Sequence, residues 1–312
     1  MQTVGTHSGN VKTMASFDEA VNLVKQLDHA VEIPLFYKLP DHLVQDGKPY
    51  EVQLGNGKIK LVEPGYHAAP HNKGVLNLAT GTLAAVTGKE YSVLQHGDAL
   101  GVSLNVINGL GTKALYAVEN DRNVARLEVM FPEITIHDDS ADGIALGVRL
   151  SNSYDKTTGF NGEFYGFRQV CANGMYSRKL LGEINISARH VGDNFQSLTE
   201  LVTNFVKRVL DSPKVVEDMI AQAISQKLEF TDNEQVYNTI WDITRNIKQT
   251  EKIVERIPLK TDRWTVFNAF THYASHADVT HKTRDDLSLK AEKILMTTIT
   301  PAQKKVVAAQ VA

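Results

Sequence analysis

The chain is short of cysteine, of excess charge and of long apolar runs, and each shortage closes off a class of protein. One cysteine, Cys171, in 312 residues leaves no partner for an intramolecular disulfide and no multi-cysteine metal site. No apolar stretch approaches the ~20 residues of a membrane helix. The start, MQTVGTHSGNVKTMAS, lacks the basic and apolar regions of a secretory signal, so a cytoplasmic location is the expectation. A formal net charge of -3 is not that of a protein that coats nucleic acid indiscriminately. Enzyme fingerprints are missing as well. Gly81 and Gly88-Lys89 are seven apart rather than the five of a phosphate loop, and Glu90 replaces the required Ser or Thr. Gly109-Leu110-Gly111 lacks the third glycine of a dinucleotide motif, and no G-x-S-x-G occurs. Thus the sequence makes no positive case for an enzyme and implies no cofactor. There is no internal repeat and no linker rich in Pro, Gly or Ser.

What is present is a globular composition, 42% hydrophobic and 22% charged, with an uneven distribution of charge. Residues 1–155 hold 12 Lys/Arg against 18 Asp/Glu, net -6; residues 156–312 hold 21 against 18, net +3. An anionic partner is therefore expected to meet the second half.

Read along the chain, residues 1–13 form a loose tail. Ser16 and Glu19 have capping-box spacing, which predicts a helix over about 17–28. Val31–Leu39 reads as a strand with Pro34 marking an edge or a bulge. Gly55-Asn56-Gly57 between Tyr50–Leu54 and Lys58–Val62 predicts a hairpin. Residues 63–82 read as loop, 88–94 as a turn into a strand, and a short helix is expected near Ala99. Lys113–Val118 and Val124–Phe131 should pair around residues 120–123, with Ile134–His137 a further strand. Beyond Asp193 the period changes. Leu198, Leu201, Val202, Phe205, Val206, Val209 and Leu210 line one helical face. Ser212-Pro213 opens another helix. Thr231 and Glu234 suggest a capping box before a long helix to about Glu255, burying Val236, Ile240, Trp241, Ile243 and Ile247. Trp264–Ser275, Thr283–Met296 and Pro301 onward read as more helices. The expectation is α+β: a strand-rich N-terminal part with an antiparallel, curled sheet (14–192), followed by a helical C-terminal part (193–312) packed on the same unit.

The most informative stretch is Leu146–Tyr176. Leu146, Val148 and Leu150 alternate with Gly147 and Arg149, as a half-buried strand does. Asn173-Gly174 is a turn signal, and Cys171 reads as a small buried hydrophobe. From Lys156 to His190 five Lys/Arg and five aromatics interleave with two Glu. Cations that meet phosphates and aromatics that stack on bases suit a single-strand binder, although the commoner role of such aromatics is core. Two groups could hold a cation: His272, His276 and His281 with Asp278, and His137 with Asp138, Asp139 and Asp142. Surface histidines and acidic loop ends are commoner than ligands, and no metal is assigned. His67 and His71 share the helical spacing but sit beside Pro70 in the expected loop.

Four segments in order carry a family resemblance: Gly88–Gln95 (GKEYSVLQ), Leu150–Asp155 (LSNSYD), Arg168–Met175 (RQVCANGM) and Trp264–Tyr273 (WTVFNAFTHY). Together they resemble the phage/plasmid-like protein family classed as a domain of unknown function, number 932, over roughly Phe17 to Asp278. The chain departs from the family pattern at Tyr154, where members tend to carry His, and at Lys156, where they tend to carry Gly. The resemblance implies a setting on phages, plasmids and integrated elements, near genes for DNA replication, recombination and defence. It carries over no catalytic residue. A curled sheet backed by helices in that setting is similar to single-strand annealing proteins, which assemble into rings; this is fold-level analogy.

Three readings stand, in this order. The first is a non-catalytic mobile-element protein of DNA metabolism, a homo-oligomer or ring that binds and anneals single-stranded DNA. In it Arg168, Arg178, Lys179 and Arg189 track the backbone, and bases stack on Phe164, Tyr165, Phe167 or Tyr176. The second is a protein-interaction or assembly factor, such as a host-defence inhibitor, docking through its helical half. The third is a metal-dependent enzyme using the 272–281 histidines or the 137–142 acids.

Overall fold

The computed structural model of the chain describes residues 3–5, 11–13, 15–38, 50–53, 59–62, 66–136, 143–168, 173–177, 195–297 and 299–301. The first half holds β1 (Thr3–Gly5), β2 (Val11–Thr13), α1 (Phe17–Lys25), β3 (Ala30–Lys38), β4 (Tyr50–Gln53), β5 (Ile59–Val62), β6 (Tyr66–Asn77) and β7 (Thr82–Gly88). Next come α2 (His96–Gly109), β8 (Leu115–Asp121), β9 (Val124–Ile136), β10 (Ile144–Ser153), β11 (Asn161–Arg168) and β12 (Asn173–Ser177). The remainder holds α3 (Phe195–Leu210), α4 (Pro213–Ser225), β13 (Lys227–Glu229), α5 (Asn233–Thr244), α6 (Ile247–Val254), β14 (Lys260–Asp262), α7 (Arg263–His276) and α8 (His281–Met296). Strands gather in the N-terminal half and helices in the C-terminal half, and the sheets are antiparallel and open: the fold is α+β.

The central sheet has five strands in the order β12-β11-β10-β9-β8. Its two faces differ in chemistry. One carries Leu127, Val129, Phe131, Leu146, Val148, Leu150 and Phe164, all buried, and packs against α2 and α3. Gly162 lies on this face, and a Cβ there would come within 2.9 Å of the Phe205 ring of α3. The other face carries charge, as described below. Every residue of β10 is buried, so the half-buried strand expected from its alternation is instead a core strand covered on both sides. Gly147 lies directly against the β9 backbone: a Cβ on it would lie 2.1 Å from the Val129 carbonyl oxygen.

Local signals hold where the chemistry is local. Ser16 and Glu19 form a full capping box, with the Ser16 N–H donating to the Glu19 carboxylate at 2.8 Å. Pro34 falls at a register shift in edge strand β3. β4 and β5 pair as expected, and β8 and β9 meet around Arg122-Asn123, with Arg122 at φ 55.

Other expectations need correction. Thr3–Gly5 and Val11–Thr13 pair as a ribbon within the expected tail. Residues 66–77, expected as loop, form the middle strand of a β3-β6-β7 sheet. Pro70 is tolerated there because it falls between the paired stretches, opposite the β3 bulge and before the β7 pairing begins at Asn72. Residues 89–95 are irregular rather than a strand, and Ile134–Ile136 belongs to β9 beyond a bulge. Asn173-Gly174 opens strand β12 rather than marking a turn, and residues 169–172, Cys171 among them, lie outside the described residues.

The helix expected to reach Glu255 breaks in two at Arg245, which adopts φ 52, and Asn246 caps α6. Ile247 is consequently 61% exposed. The N-cap of α5 is Asp232, not Thr231; it accepts from the Gln235 N–H at 2.9 Å, and Gln235 reaches back to the Thr231 N–H. Pro213 takes the first position of α4 as expected, but the Ser212 hydroxyl donates back to the Val209 carbonyl instead of capping. Residues 302–312, where another helix was expected, lie outside the described residues.

A Gly147→Ala change forces backbone apart from backbone rather than nudging a flexible side chain. It should lower stability by about 1–3 kcal/mol or more, read as a fall in the urea midpoint at unchanged slope.

Candidate functional site

The second face of the central sheet is lined by charge. β10 supplies Arg149, β9 supplies Arg126 and Glu128, β11 supplies Glu163 and β8 supplies Glu119, brought side by side by the strand register. Helix α8 closes over them with Asp285. Arg149 Nε lies 3.6 Å from Glu128 Oε1, and its Nη1 lies 3.9 Å from both Glu163 Oε2 and Asp285 Oδ1. Arg126 Nη1 lies 3.9 Å from Glu119 Oε2. These separations exceed those of a tight charged hydrogen bond. Of these groups Arg126, Arg149, Glu163 and Asp285 line a cavity of about 110 Å³, together with Val124, Ser151, Thr157, Thr158 and Asn161. On α8, Arg284, Ser288 and Glu292 are buried along with the apolar Leu287, Ala291 and Ile294, so this helix buries a polar stripe and an apolar one. Burial holds the Arg284 guanidinium below its ordinary value, an effect that Glu119, Asp278 and Asp285 oppose.

Two of the family-like segments meet just past the C-terminal end of β10. The His96 and Tyr154 rings stack with centroids 3.7 Å apart. The Tyr154 hydroxyl accepts from the His96 backbone N–H at 3.0 Å and donates to the Asp28 carbonyl at 2.7 Å. Asn152 Nδ2 donates to the Leu94 carbonyl at 2.9 Å and lies 2.9 Å from His96 Nδ1. An amide nitrogen can only donate, so Nδ1 accepts and the imidazole proton sits on Nε2. Gln95 joins the knot to β3 by bonding both the N–H and the carbonyl of Ala30. Tyr154 thus fastens Asp28 to the start of α2 at His96. Burial, more than the neighbouring Asp28 and Asp98, pushes its phenol up to about 12.

Phe164 is 2% exposed and belongs to the core, so its ring offers no platform to a base. Tyr165 and Phe167 pair with Gly147 and Ala145 of β10, Tyr176 pairs with Tyr165, and Arg168 pairs with Ile144 and Asn173. Arg178, Lys179 and Arg189 lie outside the described residues.

Exposed aromatics lie elsewhere, at residues that the sequence reading passed over. Where β3 and β6 run beyond their third strand, Phe36 is 60%, Tyr37 47% and Tyr66 75% exposed. Phe36 pairs with Ala68 and Lys38 with Tyr66, which puts Phe36, Lys38 and Tyr66 on one face. Tyr37 lies on the other, its ring stacked on His67 at 5.3 Å. The available signal was Phe36-Tyr37-Lys38 at a strand end: adjacent aromatics on a two-sided ribbon cannot both face one core.

The candidate metal groups fare differently. His67 and His71 lie on a strand, where four residues span about 13 Å, too far for a shared ion. The His272 and His276 rings do share a face of α7, stacked at 4.0 Å. The His281 side chain and residues 137–142 lie outside the described set. Among the described residues no three His, Cys, Asp or Glu are gathered as metal ligands would be. No described helix is long and apolar enough to cross a membrane.

An open antiparallel α+β fold with a charged sheet face under helix α8 is the class these features define. The chain belongs to the family described as Domain of unknown function (DUF932), whose model matches residues 84–295. That span takes in the charged face, Tyr154 and the histidine pair, and leaves out the aromatic ribbon. No curated protein and no solved structure matches the chain.

Replacing Arg149 with Met leaves buried Glu128 and Glu163 facing each other and should cost about 3–5 kcal/mol in denaturant unfolding. Tyr154→Phe strands the His96 N–H and the Asp28 carbonyl, a loss of about 1–3 kcal/mol. Because folding raises the Tyr154 phenol from 10.0 to about 12, its contribution is full below pH 10 and fades as pH rises through 12. Alkaline unfolding followed by circular dichroism should therefore be less steep in Tyr154→Phe.

Proposed function

We propose that this chain is a non-catalytic, cytoplasmic protein of mobile-element DNA metabolism that binds single-stranded DNA and works as a homo-oligomer. The observation that carries the reading is the ribbon at the end of β3 and β6, with Phe36, Lys38 and Tyr66 on one face. Rings left in water at 60% and 75% exposure are unusual for a monomer's own packing, and a base has a π-face for each of them. A cation among them suits the phosphate between two bases. The ribbon takes over the stacking role expected of Phe164, while Arg168, Arg178, Lys179 and Arg189 remain the proposed backbone contacts in the net-positive second half.

The second reading, a protein-interaction or assembly factor, draws on Leu78, Leu83 and Val86, which are exposed on and beside β7 of the same sheet. The two separate on one titration. A labelled single-stranded oligonucleotide, followed by fluorescence anisotropy, should bind in a salt-dependent way. The Phe36→Ala/Tyr66→Ala pair should weaken binding by about 1–3 kcal/mol per ring while leaving the salt slope unchanged. No binding at low salt would sink the nucleic-acid reading and leave the interaction reading in front.

A further inference from the structure

We propose that the cleft between α6 and α7 is a binding site for a phosphate ester, its anion seated between Lys248, Arg256 and the His272–His276 pair. This does not rest on the ribbon, which lies in another part of the fold. The cleft has a volume of about 390 Å³, ample for a phosphate with an organic substituent and at the scale of small-molecule sites. Its walls are cationic. Lys252 is held by Glu255 at 2.7 Å, but Lys248 and Arg256 have no ion-pair partner among the described residues. Asp278 is the remaining acid at the rim, and its charge also acts on Arg284 behind it. Tyr273 completes the lining beside Lys252.

His272 makes the site responsive to both anion and proton. His276 Nδ1 lies 3.0 Å from the His272 carbonyl oxygen, which can only accept, so Nδ1 donates. The neutral ring then carries its lone pair at Nε2. His272, stacked on it, is held neutral: burial first, then the charges of His276 and Arg256, lower it from 6.5 to about 4. An anion in the cleft cancels the charge that opposes protonation. Binding and protonation therefore favour each other, and affinity rises on acidification. An anion that restored His272 to 6.5 would gain about tenfold in affinity between pH 7.5 and 5.5.

Sulfate is the first probe, because it remains a dianion across that range and the pH dependence then belongs to the protein. Titrated into the full chain and followed on the imidazole signals by NMR, it should shift His272 and His276 saturably and bind more tightly at the lower pH. Lys248→Gln/Arg256→Gln, at exposed positions, should abolish the shift at both pH values. His272→Asn should keep binding at pH 7.5 and lose the gain at 5.5. No saturable shift, or a shift that survives the double variant, overturns the site. Competition then identifies the source. Displacement of sulfate by a nucleoside monophosphate assigns a free phosphate ester, and displacement by a single-stranded oligonucleotide alone assigns a strand phosphate. Sulfate that neither displaces would overturn the phosphate-ester assignment.

Discussion

The structure depends on burying Arg149. A guanidinium in the interior is tolerated only where opposite charge surrounds it. Here that charge comes from three separate elements: Glu128 of β9, Glu163 of β11 and Asp285 of α8. One side chain therefore ties both neighbours of the central strand to a helix more than a hundred residues further on. The same strand allows no slack in its backbone, because Gly147 leaves no room for a side chain against Val129. β10 is pinned by charge on one face, by apolar packing under α2 and α3 on the other, and by close backbone approach between them.

Around that strand the polar contacts act as fasteners between segments distant in sequence. Tyr154 joins the loop after α1 to the start of α2. Asn77 bonds the Arg122 carbonyl and Asn123, linking the three-stranded sheet to the β8–β9 turn. The functional surfaces proposed above lie away from this interior. The aromatic ribbon extends from one sheet, and the cationic cleft opens between two helices.

Much of the fold was legible because its signals are short-range. The Ser16 box, the turn at 120–123, the 3-and-4 spacing in 198–210 and the proline after Ser212 each act within a turn or a helix. The errors fall where a distant partner decided. Residues 66–77 carry Pro70 and Gly74 and read as loop, yet pairing with β3 and β7 makes them a strand. Arg149 alternates with apolar residues as a solvent-facing side chain would, and only the acids opposite it draw it inside. Arg245 has no glycine or proline to announce the break between α5 and α6. Of the aromatics in Phe160–Tyr176, for which both a stacking and a core role were open, Phe164 is core because α3 covers its face of the sheet.

The sequence by itself determined the fold class and the family, and it determined the start of α1, the proline at the start of α4 and the β4–β5 and β8–β9 hairpins because those rest on contacts between residues near one another in the chain. The tertiary structure alone decided which face of β10 holds charge, which aromatics remain in water, and that Lys248, Arg256, His272 and His276 line one cleft. Those outcomes depend on what packs against each face, and the neighbours concerned are set by strand order and helix packing rather than by local spacing.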